Sequence, residues 1–239
     1  MPASSEVCKT PATTGICASA IGRDLVALSA FDTLVRKMGY KDVLCSLSRE
    51  ELWILSFGLG DTDAGNVTRM LVEKTGVFVN PNTHAYVIIL PNETLPLGVQ
   101  QGREKLCVGV WSIEDPQIHP VTVAVRERLG VMSLKALKRL TLWWPRLVKT
   151  ERDEEISCSE SSDKMDAAEE SSGRYLKTIG ARDIVLSMVP THSRKQGLLA
   201  NPHYQCWTII DRRLRPEELL RITYDTERGL ASHGLLEGI

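Results

Sequence analysis

Apolar residues recur at helical spacing over Arg23–Met38, where Leu25, Leu28, Leu34, Val35 and Met38 share one stripe. Asp24 supplies an acidic start, and Gly39 stands where a helix end needs left-handed backbone. The pattern then changes. Val43–Phe57 predicts two strands around a turn near Ser48-Arg49-Glu50, with Ile54 and Leu55 suited to a buried sheet. Asp61–Lys74 returns to helical spacing. Asp61 or Asp63 can cap it, Val67, Met70 and Leu71 form its apolar face, and Gly76 ends it. Asn80-Pro81 predicts a turn, because proline disfavours helix at the residue before it, and Tyr86–Leu90 predicts a closing strand.

The second half of the chain reads similarly. Lys105–Trp111 predicts a strand. Pro116 and Pro120 suit a turn and a first helical turn, in a helix that reaches Leu129. Leu137–Trp144 predicts a strand, and Arg174–Ser187 a helix that ends before Pro190. A last helix is predicted over Pro216–Arg228, with Gly229 beyond its end. Residues 5–20 are small and polar, a weak signal for the opening strand.

Two stretches match without gaps. GVFVNPNTHAYVII (76–89) and GLLANPHYQCWTII (197–210) share Gly, Asn-Pro and Ile-Ile and align Tyr86 with Trp207, at a spacing of 121. FDTLVRKMGY (31–40) and TVAVRERLGV (122–131) align Gly39 with Gly130 at a spacing of 91. About thirty residues are therefore added inside the second copy. Residues 150–173 lie between those anchors and hold nine acidic residues, two basic residues and six serines. Such a segment buries too little apolar surface to offset its ordering entropy, so an exposed acidic insertion is expected. The organisation expected is one unit over 1–95 with an N-terminal arm, a second over 104–211, and a C-terminal helix and tail over 212–239. Each unit is α+β, an antiparallel sheet with helices on one face.

Charge and composition narrow the chemistry. The 29 Lys+Arg against 30 Asp+Glu give a net charge of −1 and exclude nucleic-acid binding driven by bulk charge. No apolar run approaches the ~20 residues of a membrane span, and Met1–Thr14 lacks a signal-peptide pattern. A cytoplasmic protein with no nucleic-acid or membrane partner is expected. Cys8, Cys17, Cys45, Cys107, Cys158 and Cys206 contain no Cys-x-x-Cys pair and read as reduced thiols. His84, His119, His192, His203 and His233 are dispersed, without metal-ligand spacing. Phe57-Gly58-Leu59-Gly60-Asp61 has the glycines of a phosphate turn, but a lone Gly-x-Gly also serves any tight turn. Arg126, Arg128, Lys135, Lys138, Arg139, Arg146 and Lys149 form a basic run, either solvated faces or a docking surface for an acidic partner or the chain's own insertion. Trp143-Trp144 sends one indole to each side of its strand, which makes a domain or subunit contact a candidate role.

The helix ending in glycine, the two strands, the second helix and then Gly197-Leu198-Leu199-Ala200-Asn201-Pro202 resemble PurS, the small subunit of phosphoribosylformylglycinamidine (FGAM) synthase in purine biosynthesis. Ile113-Glu114-Asp115-Pro116-Gln117 resembles the family's acidic helix entry, and the first copy matches from Phe31 to Ile89. Where the family has an Arg-x-Gly-Lys turn, Cys45–Glu50 and Ala136–Thr141 stand instead, with Arg49 or Lys138 retaining a charge. The resemblance implies two tandem PurS-like, ferredoxin-like units. It also implies a non-catalytic scaffold that self-associates and helps a glutaminase and a synthetase associate, without catalytic, cofactor or metal residues of its own. Asn80, Pro81, Asn201 and Pro202, with Trp143, Trp144, Lys138 and Arg139, are the candidate turn and partner contacts. A homodimer with Trp143 or Trp144 at its interface is expected. The alternative is a regulatory module of ferredoxin-like architecture that binds a small molecule.

Overall fold

A computed structural model describes residues 11–58, 60–95, 106–148, 180–190, 197–201 and 203–232. The predicted insertion over 150–173 lies outside them, as do Leu59, Lys149, His192, Pro202, His233, Cys8 and Cys158. The first half contributes β1 (Ala12–Ala20), α1 (Leu25–Lys37), β2 (Leu44–Phe57), α2 (Asp61–Thr75) and β3 (His84–Ile89). The second contributes β4 (Cys107–Ser112), α3 (Ile118–Val123, continued by a wide π-helical turn over Ala124–Arg128), β5 (Leu134–Leu147), α4 (Ala181–Ser187) and β6 (Gln205–Ile210). Then comes α5 (Pro216–Ser232). All six strands form one antiparallel sheet in the order β3-β1-β2-β5-β4-β6, so the protein is α+β.

Several ends follow from local chemistry. Asp24 caps α1 by accepting from the N–H groups of Val26 (2.9 Å) and Ala27 (3.1 Å). Gly39, Gly76 and Gly130 take positive φ just past three helices, as their positions predicted. At α5 the Glu218 carboxylate reaches back to the Arg215 N–H (2.8 Å), and Pro216 takes the first helical position. That helix runs through Gly229 to Ser232, so the glycine expected beyond its end lies inside it. The helix expected from Arg174 is described from Ala181 onward.

The central strands correct a prediction. β2 is one strand of 14 residues, not two around a turn at Ser48-Arg49-Glu50. Polar residues continue as strand because each finds a partner. Arg49 Nε donates to Asp24 Oδ2 (2.8 Å), and Glu50 Oε2 accepts from Trp144 Nε1 (2.8 Å) and from the Cys17 thiol (3.4 Å). β1, the weak strand in the sequence, is an interior strand between β3 and β2. Its small residues admit close neighbours: Thr14 bonds Thr68 of α2 at 2.7 Å. A Cβ on Gly15 would stand 3.0 Å from Ile89 Cδ1 and 3.4 Å from Pro216 Cγ.

Helices α1–α4 cover one face of the sheet and α5 the other, so the C-terminal helix gives the sheet a second covered side. On the four-helix face there are two clusters. One joins α2 (Ala64, Leu71, Val72) to α3 (Val125, with Ile118 and Val121) over Ile16, Trp53 and Leu137. The other joins α1 (Ala27, Leu34) to α4 (Ile184, Val185) over Leu47, Val108 and Trp143. The first helix of each half thus packs with the second helix of the opposite half. Tyr40 Oη donates to Ser187 Oγ (2.6 Å) across that contact. Under α5, Leu219 and Leu220 bury Ile54, Leu140 and Trp111.

Candidate functional site

β4 pairs with β5 only over Val108–Val110 and then parts from it, although both strands continue. The parting opens a cleft of about 360 Å³ at the sheet's corner. Ile113, Ile118 and Leu137 give it apolar walls, Tyr224 of α5 closes one side, and Glu114 and His119 stand exposed on its rim. Its volume is that of a small-molecule site.

Lys138 and Arg139 enter the cleft from opposite faces of β5, as successive strand residues must. Both cations are already paired. Arg139 donates to Asp115 through Nε (2.8 Å) and Nη2 (3.2 Å), donates to Gln117 through Nη1, and lies over the Trp53 ring at 5.4 Å. Lys138 bonds Glu227 of α5 and sits 5.8 Å from the centroid of the Tyr224 ring. Glu227 also accepts from Trp111 Nε1 (3.1 Å). Burial, aided by Glu227, pushes the Tyr224 hydroxyl above its ordinary range. Burial also raises the nearby Cys206 thiol to about 11, with Glu227 adding to the rise and Lys138 opposing it. Burial raises the Cys17 and Cys107 thiols too, which keeps both as poor nucleophiles.

The basic run therefore divides. Arg126, Arg128, Lys135 and Arg146 are exposed, while Lys138 and Arg139 are held in the cleft. Trp143 and Trp144 lie outside the cleft. Trp143, 7% exposed, packs inside the chain with α1 and α4, and Trp144 bonds Glu50 on the other face. Asn80 and Asn201 begin the outer strands with the same turn. Each Oδ1 accepts from the N–H two residues on, Asn82 or His203, at 3.0 Å. Each carbonyl accepts from the N–H four residues on, at 2.9 Å from His84 and 3.0 Å from Gln205. Pro81 is exposed in its turn. The Asn80 turn lies at the far edge of the sheet from the cleft, whereas the Asn201 turn adjoins it, the Tyr204 carbonyl accepting from the Ile113 N–H (3.1 Å) of the cleft wall.

A stronger duplication runs through the central strands. Leu44, Leu47, Arg49, Leu52 and Trp53 of β2 recur 90 residues on as Leu134, Leu137, Arg139, Leu142 and Trp143 of β5. The two strands pair antiparallel, so Arg49 faces Trp143 and Trp53 faces Arg139 about a local two-fold axis. Each arginine bonds an aspartate at the start of its own half's first helix, Asp24 or Asp115, at 2.8 Å. One residue bulges on each strand at equivalent places, Cys45 and Lys135. Gly58 N–H to Ser133 C=O (2.8 Å) and Val148 N–H to Val43 C=O (2.9 Å) close the two ends alike. Leu-x-x-Leu-x-Arg-x-x-Leu-Trp in the sequence is the signal for this duplication. Reading β2 as a hairpin conceals it. No known family model, curated protein or solved structure matches this chain.

Proposed function

We propose that the chain is a non-catalytic assembly protein of the PurS kind, presenting two fused units to a glutaminase and a synthetase of FGAM synthase. The observation that carries this reading is the repetition of strand, helix led by an aspartate, central strand whose arginine bonds that aspartate, helix, Asn turn and strand about a local two-fold within one sheet. The resemblance of Gly197–Pro202 and Phe31–Ile89 to the family supports it further. The neutralised charges of the cleft fit a scaffold, since Asp115 and Glu227 already hold Arg139 and Lys138. The test is reconstitution. Full-length chain mixed with the glutaminase and synthetase subunits is expected to co-elute with them and to make FGAM formation from glutamine depend on its presence. Separate elution, with unchanged glutamine-dependent activity, overturns the reading.

The cleft supports a second reading, a regulatory module that binds a small molecule beside Tyr224 and Arg139. Its mark would be a metabolite that raises the melting temperature of the wild-type chain and leaves Thr122→Trp, a variant that fills the cleft, unmoved.

A further inference from the structure

The two outer strands of the sheet are not equally protected. β6 has no exposed residue among its six. Trp207 Nε1 donates to the Pro190 carbonyl (3.0 Å), which holds that segment against the strand. Its C-terminal end runs into Asp211, ion-paired with Arg182, and the exposed Arg212 and Arg213. Among the described residues, β3 has none of these guards. Its residues, HAYVII, carry no Lys, Arg, Asp, Glu or Pro, and its ladder with β1 runs six pairs without a bulge. Ala85, Tyr86 (37%) and Val87 (52%) are exposed along it. Ile21, 61% exposed, adjoins its start through Ile21 N–H to Thr83 C=O (2.9 Å). Flat, uncharged and apolar, such an edge is a template for another strand.

We propose that β3 is the homodimer surface of this protein, pairing antiparallel with β3 of a second copy across a two-fold axis to continue the sheet from six strands to twelve. Only an extended strand satisfies the row of edge N–H and C=O groups, so the occupant is a strand. A β3–β3 pair opposes no like charges. It repeats at the edge what β2 and β5 do at the centre, where equivalent strands pair antiparallel about a two-fold. Pairing β3 with β6 of another copy would be head-to-tail and would build an open filament. β6, with no exposed residue and with Arg212 and Arg213 exposed just past its end, is the poorer template of the two, which favours the closed dimer. This inference rests on the edge alone and stands whether or not the purine reading does.

Light scattering on the full chain at tens of micromolar is expected to give twice the single-chain mass of 26.6 kDa. Val87→Lys places a charge in the middle of the edge at an exposed position. It is expected to weaken dimerisation at least about tenfold while far-UV circular dichroism stays as in wild type and melting loses its dependence on protein concentration. Leu25→Lys, on the exposed start of α1, is expected to remain dimeric. Amide exchange supplies a readout without substitution: β3 protection should fall on dilution in the wild type. A single-chain mass for the wild type overturns the proposal. So does a dimer that survives Val87→Lys, one that Leu25→Lys breaks, or β3 protection that ignores concentration.

Discussion

The two halves share a frame and differ in what they do with its outside. In both, an aspartate near the start of the first helix holds an arginine of the central strand, which faces the other half's tryptophan; Asp24 caps its helix, whereas Asp115 accepts from the Gln117 N–H in the turn before α3. In the first half β1 and β2 stay paired as far as Ser19 and Glu50 and do not part as β4 and β5 do, and the apolar Ile21, Leu25, Val26 and Leu28 stand exposed nearby. In the second half β4 parts from β5, and α5 brings Tyr224 and Glu227 to the opening. The conserved geometry lies where the halves meet each other. The divergence lies where each meets solvent. Duplication here fixes the interior and leaves the two corners free to acquire different chemistry.

The largest effects should fall on the paired tryptophans. Trp53→Ala and Trp143→Ala each remove a buried indole, 4% and 7% exposed, and should each cost about 3–5 kcal/mol in urea unfolding. If one costs under about 1 kcal/mol, the two positions are not energetic equivalents. Next come the arginines. Arg139→Met removes two bonds to Asp115 and one to Gln117 and should cost about 2–3 kcal/mol, against about 1–2 for Arg49→Met, which loses its bond to Asp24. A reversed order of the two would place the stronger pair in the wrong half.

Asp24 offers a sharper probe through pH. Burial pushes its carboxyl upward, but the Ala27 N–H, the Arg49 guanidinium and the Val26 N–H outweigh it and hold the group below its usual range. A depressed folded value means that the stabilisation is fully present above the unfolded value near pH 4 and is lost as pH falls through the folded value. Wild type should therefore exceed Asp24→Asn by about 0.2–1 kcal/mol at neutral pH, the share of the Arg49 ion pair, since asparagine caps a helix as well as aspartate does. The gap should narrow as the solution is acidified below pH ~4. A gap that stays constant down to pH ~2 would mean that the carboxylate charge plays no part. The smallest effect belongs to the turns. Asn80→Ala should cost roughly 0.5 kcal/mol, and Asn201→Ala slightly less, because the residue 201 backbone N–H keeps its bond to the Gln205 side chain (2.7 Å) in the variant. Differential scanning calorimetry of the two variants would rank them.

What the sequence revealed was what local rules decide. Asp24, Gly39, Gly76 and Gly130 mark helix ends because caps and left-handed backbone depend on adjacent residues alone, and the Asn80 and Asn201 turns are equally local. The continuous β2 was hidden because Ser48-Arg49-Glu50 reads as a turn until Asp24, Trp144 and Cys17 arrive from distant positions. β1 was faint because Gly15, Ala12 and Ala18 are interior residues chosen for close packing rather than for bulk. Lys138 and Arg139 were singled out by charge, but charge said nothing of Glu227 and Asp115, which lie 89 and 24 residues away.

The exchange of helices between halves has a consequence during synthesis. When the ribosome has released only the first half, Ala27 and Leu34 of α1 have no α4 to lie against, and Ala64, Leu71 and Val72 of α2 have no α3. β2 at that moment is an outer strand with its long partner still unmade. The nascent chain must therefore wait, from Leu71 to Val125 for the first cluster and from Leu34 to Ile184 for the second, before either closes, a delay imposed by connectivity rather than by weak local preference.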